Sequence, residues 1–192
     1  MPTVVTAPVD ALEILSGLLS RKTDIVLIDG RSGAGKSSLA IALKQAALAR
    51  GVSAQLVHIE QVYQGWDGLA GAALAVARDL VVPFAQGKPG FWDEYDWERE
   101  RVIARHTVLP IAPLIVEGVG ALHPLAASAS ATRVWVTTDD EVRKERALHR
   151  DGSTYEPHWY RWAAQEEIYV SQFDPAALAD IVVDTTYNPR SA

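Results

Sequence analysis

A glycine-rich loop between an apolar run and an alanine-rich run constrains the fold of this chain more than any other feature. Residues 30–37 read GRSGAGKS and fit the pattern G-x-x-x-x-G-K-[ST]. The preceding run, DIVLID at residues 24–29, predicts a buried strand. The following run, residues 36–50, contains neither Gly nor Pro and predicts a helix. A strand, a loop and a helix in this order are the context in which such a loop binds phosphate.

The residue types of this loop suit a nucleotide. Glycines let successive backbone N–H groups turn toward an anion, and the following helix directs its positive end at the same anion. Lys36 can reach the β- and γ-phosphates, and the Ser37 hydroxyl can ligate Mg²⁺. A dinucleotide loop, G-x-G-x-x-G, is disfavoured because its second glycine would fall on Ser32. The nucleotide-binding residues predicted in the loop are Gly30, Ser32, Gly33, Ala34, Gly35, Lys36, Ser37 and Ser38.

Short apolar runs alternate with helical segments along the rest of the chain. This alternation predicts an α/β protein with a three-layer P-loop NTPase fold: a parallel sheet of about five strands, helices on both faces and a small lid. No linker divides the chain, so we expect one domain over residues 1–192. Further strands are predicted at 54–59, 113–118, 133–137 and 180–185. Helices are predicted at 8–19, at 69–82 before Pro83, at 93–108, at 139–149 and at 158–173, with a polar, turn-rich segment at 150–157.

Composition narrows the functional classes. The net charge is −6 and the pI is about 5.3, which argues against a general nucleic-acid binder. The chain has no cysteine, so thiolate metal sites and cysteine nucleophiles are excluded. No apolar run approaches the ~20 residues of a membrane span, and the N-terminus lacks the features of a targeting segment. We expect a cytoplasmic protein whose partners are small molecules, with no nucleic acid and no membrane; its oligomeric state stays open.

Three further segments, taken together with the phosphate loop, resemble the uridine kinase-like family of small-molecule kinases. They are IEQVY (59–63), YDW (95–97) ahead of LIVEGVGAL (114–122), and TDDEVRKERALHRD (138–151). The family is similar in having D-x-F-Y, Y-D-F before a strand that ends in Glu-Gly, and T-D-x-D-x-R-x-x-R-R-x-x-R-D. The resemblance covers residues 25–151. It implies an ATP-dependent kinase that requires Mg²⁺, with a substrate-binding insertion at about 63–98 and a lid at about 150–158.

The resemblance also implies roles outside the loop. Glu60 matches the aspartate beside the substrate hydroxyl, its general base, and Glu117 matches the carboxylate of the magnesium site. Tyr63, Tyr95 and Asp96 match substrate-side positions. The lid-region arginines are matched by Arg143, Arg146 and Arg150, of which Arg146 is assigned a catalytic role. Their spacing of three and four residues places them on one face of a helix, where we expect them to contact the nucleotide phosphates.

Two residues are candidates on chemistry alone. Asp67 lies in a predicted loop rich in aromatics and can accept hydrogen bonds from a substrate hydroxyl. Tyr187 follows the last predicted strand, where it can line the adenine. The identity of the general base stays open among Glu60, Asp67 and Asp96.

The lead hypothesis is therefore transfer of the γ-phosphoryl group of ATP to a hydroxyl of a small molecule, with nucleosides among the candidates. Two alternatives stay open: a non-catalytic or slowly hydrolysing nucleotide-binding regulator, and a nucleoside-monophosphate kinase. The monophosphate kinase needs basic residues near the acceptor, but residues 63–96 hold two basic residues against five acids. The family's histidine soon after Y-D-F is missing, so the residues support kinase chemistry better than uridine as acceptor.

Overall fold

The structure, a computed structural model, describes residues 3–5, 8–129 and 131–186. Its strands are β1 (Thr3–Val5), β2 (Ile25–Asp29), β3 (Gln55–His58), β4 (Gly90–Asp96), β5 (Arg101–Val108), β6 (Leu114–Glu117), β7 (Thr132–Thr137) and β8 (Ile181–Asp184). Within the described residues the main sheet is parallel and has six strands in the order β1-β8-β7-β2-β6-β3. The predicted α/β class is confirmed, and β1 extends the expected sheet of about five strands at one edge.

Helices cover both faces of this sheet. In chain order they are α1 (Pro8–Leu18), α2 (Lys36–Ala49), α3 (Leu69–Ala75), α4 (Val82–Ala85), α5 (Pro124–Ala127), α6 (Asp140–Tyr155), α7 (Trp159–Phe173) and α8 (Pro175–Leu178). A π-helical segment, Val76–Val81, joins α3 to α4, and short 3₁₀ helices follow β3 (Ile59–Gln61) and α6 (Glu156–His158).

Strand β2 shows how the chain builds three layers. Ile25 and Leu27 belong to one hydrophobic cluster, which includes residues of α3 and α7, while Val26 and Ile28 belong to the other, which includes residues of α1 and α2. Successive side chains of a strand point to opposite faces, so a continuous apolar run fits a strand that is buried on both sides. The order of strands places β2 between β6 and β7. Ligands bind at the carboxyl ends of such strands, where the order of connection reverses.

The helix predicted at 93–108 is wrong, because these residues form most of the antiparallel hairpin β4–β5. Cross-strand contacts stabilise the hairpin: Trp92 stacks on His106 with ring centroids 4.2 Å apart. At its turn, the Asp96 carboxylate accepts hydrogen bonds from the backbone N–H groups of Glu98 and Arg99. The sequence of this segment is charged and has few β-branched residues, so it did not indicate strands. Cross-strand pairs such as Trp92 with His106 could not be recognised either, because the two residues are distant in the sequence.

Two other predicted helix ends also differ. Helical structure continues past Pro83 to Ala85, because Pro83 occupies the first turn of α4, where its missing N–H has little effect. The segment predicted as a polar turn is helical as far as Tyr155 and is interrupted at Gly152. Gly152 adopts φ 54° and ψ −138°, which bulkier residues rarely adopt, and the helical turns lie on either side of it.

Candidate active site

The phosphate loop connects β2 to α2 and packs tightly against its neighbours. A Cβ atom on Gly30 would lie 2.2 Å from the carbonyl oxygen of Val136, and one on Gly33 would lie 1.9 Å from that of Arg143. Both residues also have positive φ, 148° and 81°. Only glycine meets both conditions at these two positions. The loop thus has the predicted strand–loop–helix context, and α2 begins at Lys36.

Asp29, the last residue of β2, fixes the base of the loop. Its carboxylate accepts hydrogen bonds from the backbone N–H groups of Gly30, Gly120 and Leu122 and from the Tyr169 hydroxyl, over 2.7–3.1 Å. Burial raises the pKa of Asp29, although these hydrogen bonds favour the charged form. The contacts join β2, the loop after β6 and α7 at a single carboxylate.

Lys36 is buried, with 8% of its surface exposed, and its Nζ donates to the Arg31 carbonyl oxygen at 3.0 Å. Burial lowers the pKa of Lys36, while the carboxylates of Glu117 and Glu166 favour the charged ammonium. The ammonium is thus held inside the loop, near the place where a bound polyphosphate is expected.

Ser37, Glu117 and His58 form a polar chain beside Lys36. The Ser37 hydroxyl donates to Glu117 Oε1 at 3.0 Å, and His58 Nδ1 lies 2.5 Å from the same oxygen. Burial raises the pKa of Glu117, but the His58 contact and the Lys36 charge outweigh burial and hold that pKa below its usual range. The Glu117 contact raises the pKa of His58 in turn. Glu117 is therefore an ionised carboxylate at the end of β6.

This donor set suits Mg²⁺ in the presence of a nucleotide. Mg²⁺ is usually held by one or two protein oxygens, with phosphate oxygens and waters completing the octahedron. Ser37 and Glu117 offer one hydroxyl and one carboxylate, 3.0 Å apart. Among the described residues no group of three or more His, Asp or Glu side chains offers a metal cage. Such a metal would therefore depend on the phosphates.

A cavity of about 360 Å³ opens beside the loop. Seven residues predicted from the sequence line it: Ser32, Gly33, Lys36, Ser37, Glu60, Tyr63 and Glu117. The lid-region Arg150 lines it as well. Glu60 lies on the exposed 3₁₀ turn that follows β3. The cavity thus brings the loop, the expected metal position and one candidate base together.

Five aromatic side chains also line this cavity and are called the aromatic wall below: Tyr63, Trp66, Trp97, Tyr155 and Trp162. They contact one another. The Trp66 and Trp97 rings are 4.9 Å apart, and those of Tyr63 and Trp162 are 4.7 Å apart. Trp97 also donates its Nε1–H to the Glu60 carbonyl oxygen at 3.3 Å. The tip of the hairpin is thereby joined to the candidate base.

Three predicted substrate residues do not line this cavity. Asp67 is exposed and forms an ion pair with Arg161, whose Nε lies 2.8 Å from Asp67 Oδ1. Asp96 is engaged in the turn of the hairpin. Tyr95 packs edge-on against Trp97 at 5.8 Å. Their direct contact with a substrate stays a prediction to which this structure adds no support.

The lid-region arginines take three different positions. Arg150 lines the cavity. Arg146 donates to the hydroxyl and carbonyl oxygens of Thr185, both at 3.1 Å, at the end of β8. Arg143 is buried outside the cavity lining: its Nε donates to Asp140 at 2.5 Å and its guanidinium lies 5.4 Å from the centre of the Trp159 ring. Their shared helix face predicted one role for all three, but the packing around each one differs.

The remaining predicted residues divide simply. Gly30, Ala34 and Gly35 belong to the loop without lining the cavity, and Ser38 is exposed on the first turn of α2. Tyr187 lies outside the described residues.

Sequence reasoning missed three residues around the loop: His58, Trp162 and Glu166. His58 ends a strand whose neighbour ends in Glu117, and only the pairing of these strands brings the two side chains together. Trp162 and Glu166 lie in the helix predicted at 158–173, to which the sequence assigned no site residue. The spacing of Trp162, Glu166 and Tyr169 on α7 was a usable signal, because it places an acid on the buried face of a helix.

No protein-family model matches the chain, and no curated protein matches it. Two solved structures align over almost its whole length. One is a possible uridine kinase from Bacillus stearothermophilus, with a TM-score of 0.64, 19% identity, and 91% of this chain and 98% of that chain covered. The other is a candidate fructose transport system kinase from Silicibacter sp. TM1040, with a TM-score of 0.54, 17% identity, and 93% and 99% coverage.

The chain has the three-layer P-loop NTPase fold. At these identities the likeness extends to the fold alone, and the expected resemblance to uridine kinase-like proteins is confirmed at that level. Among the described residues no helix is both long enough and apolar enough to span a bilayer.

Proposed function

We propose that this protein is an ATP-dependent, Mg²⁺-requiring kinase that phosphorylates a hydroxyl of a small molecule. One observation carries the proposal. The phosphate loop with Lys36, the Ser37–Glu117 pair and the carboxylate-bearing Glu60 all border one cavity, which five aromatic side chains also line. A nucleoside triphosphate suits the loop and its charged groups, and an uncharged organic molecule suits the aromatic lining.

In the proposed reaction the acceptor oxygen attacks the γ-phosphorus. A bond forms between them, the bond from the γ-phosphorus to the β–γ bridging oxygen breaks, and ADP leaves. Glu60 takes the hydroxyl proton, a role that requires its carboxylate within about 2.6–3.2 Å of that hydroxyl in the competent complex. Lys36 and Arg150 stabilise the negative charge on the phosphate oxygens.

Ser37 and Glu117 would hold Mg²⁺, which neutralises phosphate charge when bound. The His58 contact keeps Glu117 ionised and oriented for this task. The aromatic wall excludes water from the acceptor side, which favours transfer to the acceptor over hydrolysis.

The most informative experiment is a screen for acceptor-dependent ADP formation with nucleosides, nucleoside monophosphates, sugars and vitamin alcohols, each with and without Mg²⁺. We expect at least one acceptor to raise ADP formation well above the acceptor-free rate and to yield a phosphomonoester. The matched control is Lys36→Ala, which should abolish the difference.

Two other outcomes favour the alternatives. ATP hydrolysis that no acceptor stimulates favours a nucleotide-binding regulator. Turnover restricted to nucleoside monophosphates favours a monophosphate kinase, for which the cavity offers little: its described lining has two basic side chains, Lys36 and Arg150, and both are assigned to ATP.

A further inference from the structure

One face of α7 packs against the front half of the phosphate loop. Trp162, Glu166 and Tyr169, spaced by four and three residues, are all buried on this face. Tyr169 donates its hydroxyl to Asp29 at 2.7 Å. Trp162 donates its Nε1–H to the Ser32 hydroxyl at 3.0 Å and to Glu166 Oε1 at 3.0 Å. The loop therefore rests on α7 as well as on the strands that flank it.

Glu166 has the most unusual position of the three. It is 1% exposed, and its Oε1 accepts the backbone N–H of Ser32 at 2.8 Å. Its Oε2 lies 3.6 Å from Arg143 Nη1, and neither of these buried atoms has a hydrogen-bond partner among the described residues. A buried carboxylate is costly unless its hydrogen bonds are good, and the proposed reaction does not use Glu166 directly. Its best-made contact is the one to the loop.

That contact acts on a single peptide group. The Ser32 N–H and the Arg31 C=O belong to the same peptide unit, and in a planar trans peptide they point in opposite directions. Glu166 holds the N–H, and Lys36 Nζ donates to the C=O at 3.0 Å. If the peptide rotated, the N–H would leave Glu166 and the carbonyl would leave Lys36 together. The orientation of this one peptide therefore connects a residue of α7 to the position of the lysine.

We propose that Glu166 is a positioning residue: it orients the Arg31–Ser32 peptide and thereby places Lys36 and the loop to receive the phosphates of a nucleotide. This inference rests on the proposed function for its nucleotide. Glu166 touches neither ATP nor acceptor in this account and acts through the peptide. The Ser32 N–H is already engaged by Glu166, and the Ala34 N–H donates to the Arg31 carbonyl oxygen at 3.1 Å. Phosphate binding therefore falls to the N–H groups of Gly33 and of the residues from Gly35 onward.

Two conservative variants distinguish the effect of the length of the Glu166 side chain from the effect of its charge. Glu166→Gln keeps the length of the side chain and an acceptor oxygen but removes the charge. Glu166→Asp keeps the charge but withdraws the carboxylate by one methylene. The matched control is Glu167→Asp, since this exposed neighbouring acid binds the half-buried side-chain guanidinium of Arg31 at 2.5 Å rather than the backbone.

The measurements are the affinity for MgATP by calorimetry, the hydrogen exchange of the Ser32 amide, and the melting temperature without nucleotide. We expect Glu166→Asp to weaken MgATP binding about tenfold and to expose the Ser32 amide, because the shorter side chain no longer reaches the Ser32 N–H and this hydrogen bond is lost. We expect Glu166→Gln and Glu167→Asp to stay within about twofold of the unaltered protein, with the Ser32 amide protected.

Each other result decides against the inference in its own way. If Glu166→Gln weakens MgATP binding and Glu166→Asp does not, Glu166 acts through its charge alone. If neither variant weakens MgATP binding, or if Glu166→Asp lowers only the melting temperature, the residue is structural. If the unaltered protein binds no MgATP, the proposed function fails, and a Ser32 amide that remains protected in the Asp variant then refutes the positioning role independently.

Discussion

The two sides of the cavity are built differently. On the phosphate side, residues 29–38 and Glu117 come from the end of β2, the loop after it, the start of α2 and the end of β6, and short hydrogen bonds join them. On the acceptor side, Glu60 and the aromatic wall come from the 3₁₀ turn after β3 and the loop that follows it, the hairpin, the end of α6 and α7. The phosphate side is a local structure held by backbone geometry, whereas the acceptor side is assembled from side chains that are distant in the sequence. Chemistry common to P-loop proteins is expected on the first side and specificity on the second.

The largest expected effect comes from the phosphate side. Lys36→Ala should lower acceptor-dependent phosphoryl transfer by about 10²–10³-fold, because it removes a fixed positive charge from the transferring phosphate. Steady-state ADP formation measures this loss, and a melting curve checks the fold. Normal turnover in a folded variant would contradict the assignment of the loop as the catalytic phosphate site.

The second effect distinguishes two acids on the acceptor side. Glu60→Gln should lower kcat by about 10²-fold with little change in ATP affinity, because the general base is lost while the shape is kept. Asp67→Asn is the matched control, since Asp67 is paired with Arg161 outside the cavity lining. The opposite pattern, with Asp67→Asn inactive and Glu60→Gln normal, would identify Asp67 as the general base.

The third effect separates two arginines of one helix. Arg150→Ala should raise the KM for ATP or lower kcat by about tenfold at an unchanged melting temperature. Arg143→Ala should instead destabilise the fold by ~3 kcal/mol, about 6–12 °C in melting temperature, because the buried Glu166 carboxylate would lose the guanidinium that lies 3.6 Å from its Oε2. Activity assays together with melting curves decide between the two outcomes. Equal losses of activity at equal stability would restore the shared lid role.

These contrasts also show which parts of the fold and of the candidate site the sequence could predict. The loop, the strands beside it and Glu117 were predictable because a short motif and a run of apolar residues determine them locally. The hairpin was not, because its stability comes from pairs such as Trp92 with His106 across the ladder. Spacing placed the lid-region arginines on one face, but tertiary contacts give Arg143 and Arg150 different surroundings. Glu166 was overlooked because only the folded chain brings it to Ser32.

The smallest expected effect is a pH dependence on the phosphate side. The pKa of Glu117 is held below its ordinary 4.5 and that of His58 above its ordinary 6.5. The carboxylate therefore stabilises the fold above pH 4.5, a contribution that is lost as pH falls through its lowered pKa. The imidazolium stabilises the fold fully below pH 6.5, and this contribution is lost as pH rises through its raised pKa. The charged pair should contribute most near pH 5–6.

His58→Gln isolates this charge, because Gln resembles the neutral imidazole as a hydrogen-bond donor. Without nucleotide and with EDTA present, the variant should be less stable than the unaltered protein by ~1 kcal/mol or less at pH 5.5, since His58 is partly exposed to solvent. The difference should shrink toward pH 9. Melting curves at the two pH values measure it, and a difference that grows with pH would contradict the assignment.

The most direct test of the account is a crystal structure with Mg²⁺ and a non-hydrolysable ATP analogue. We predict that the β- and γ-phosphates lie against the backbone N–H groups of Gly33, Gly35, Lys36 and Ser37, with Mg²⁺ beside Ser37 and Glu117. The γ-phosphate should face Glu60 across the space bounded by the aromatic wall. A γ-phosphate with Glu60 turned away from it and another carboxylate, such as Asp67, beside it would contradict the central claim that one cavity joins the two sides for phosphoryl transfer.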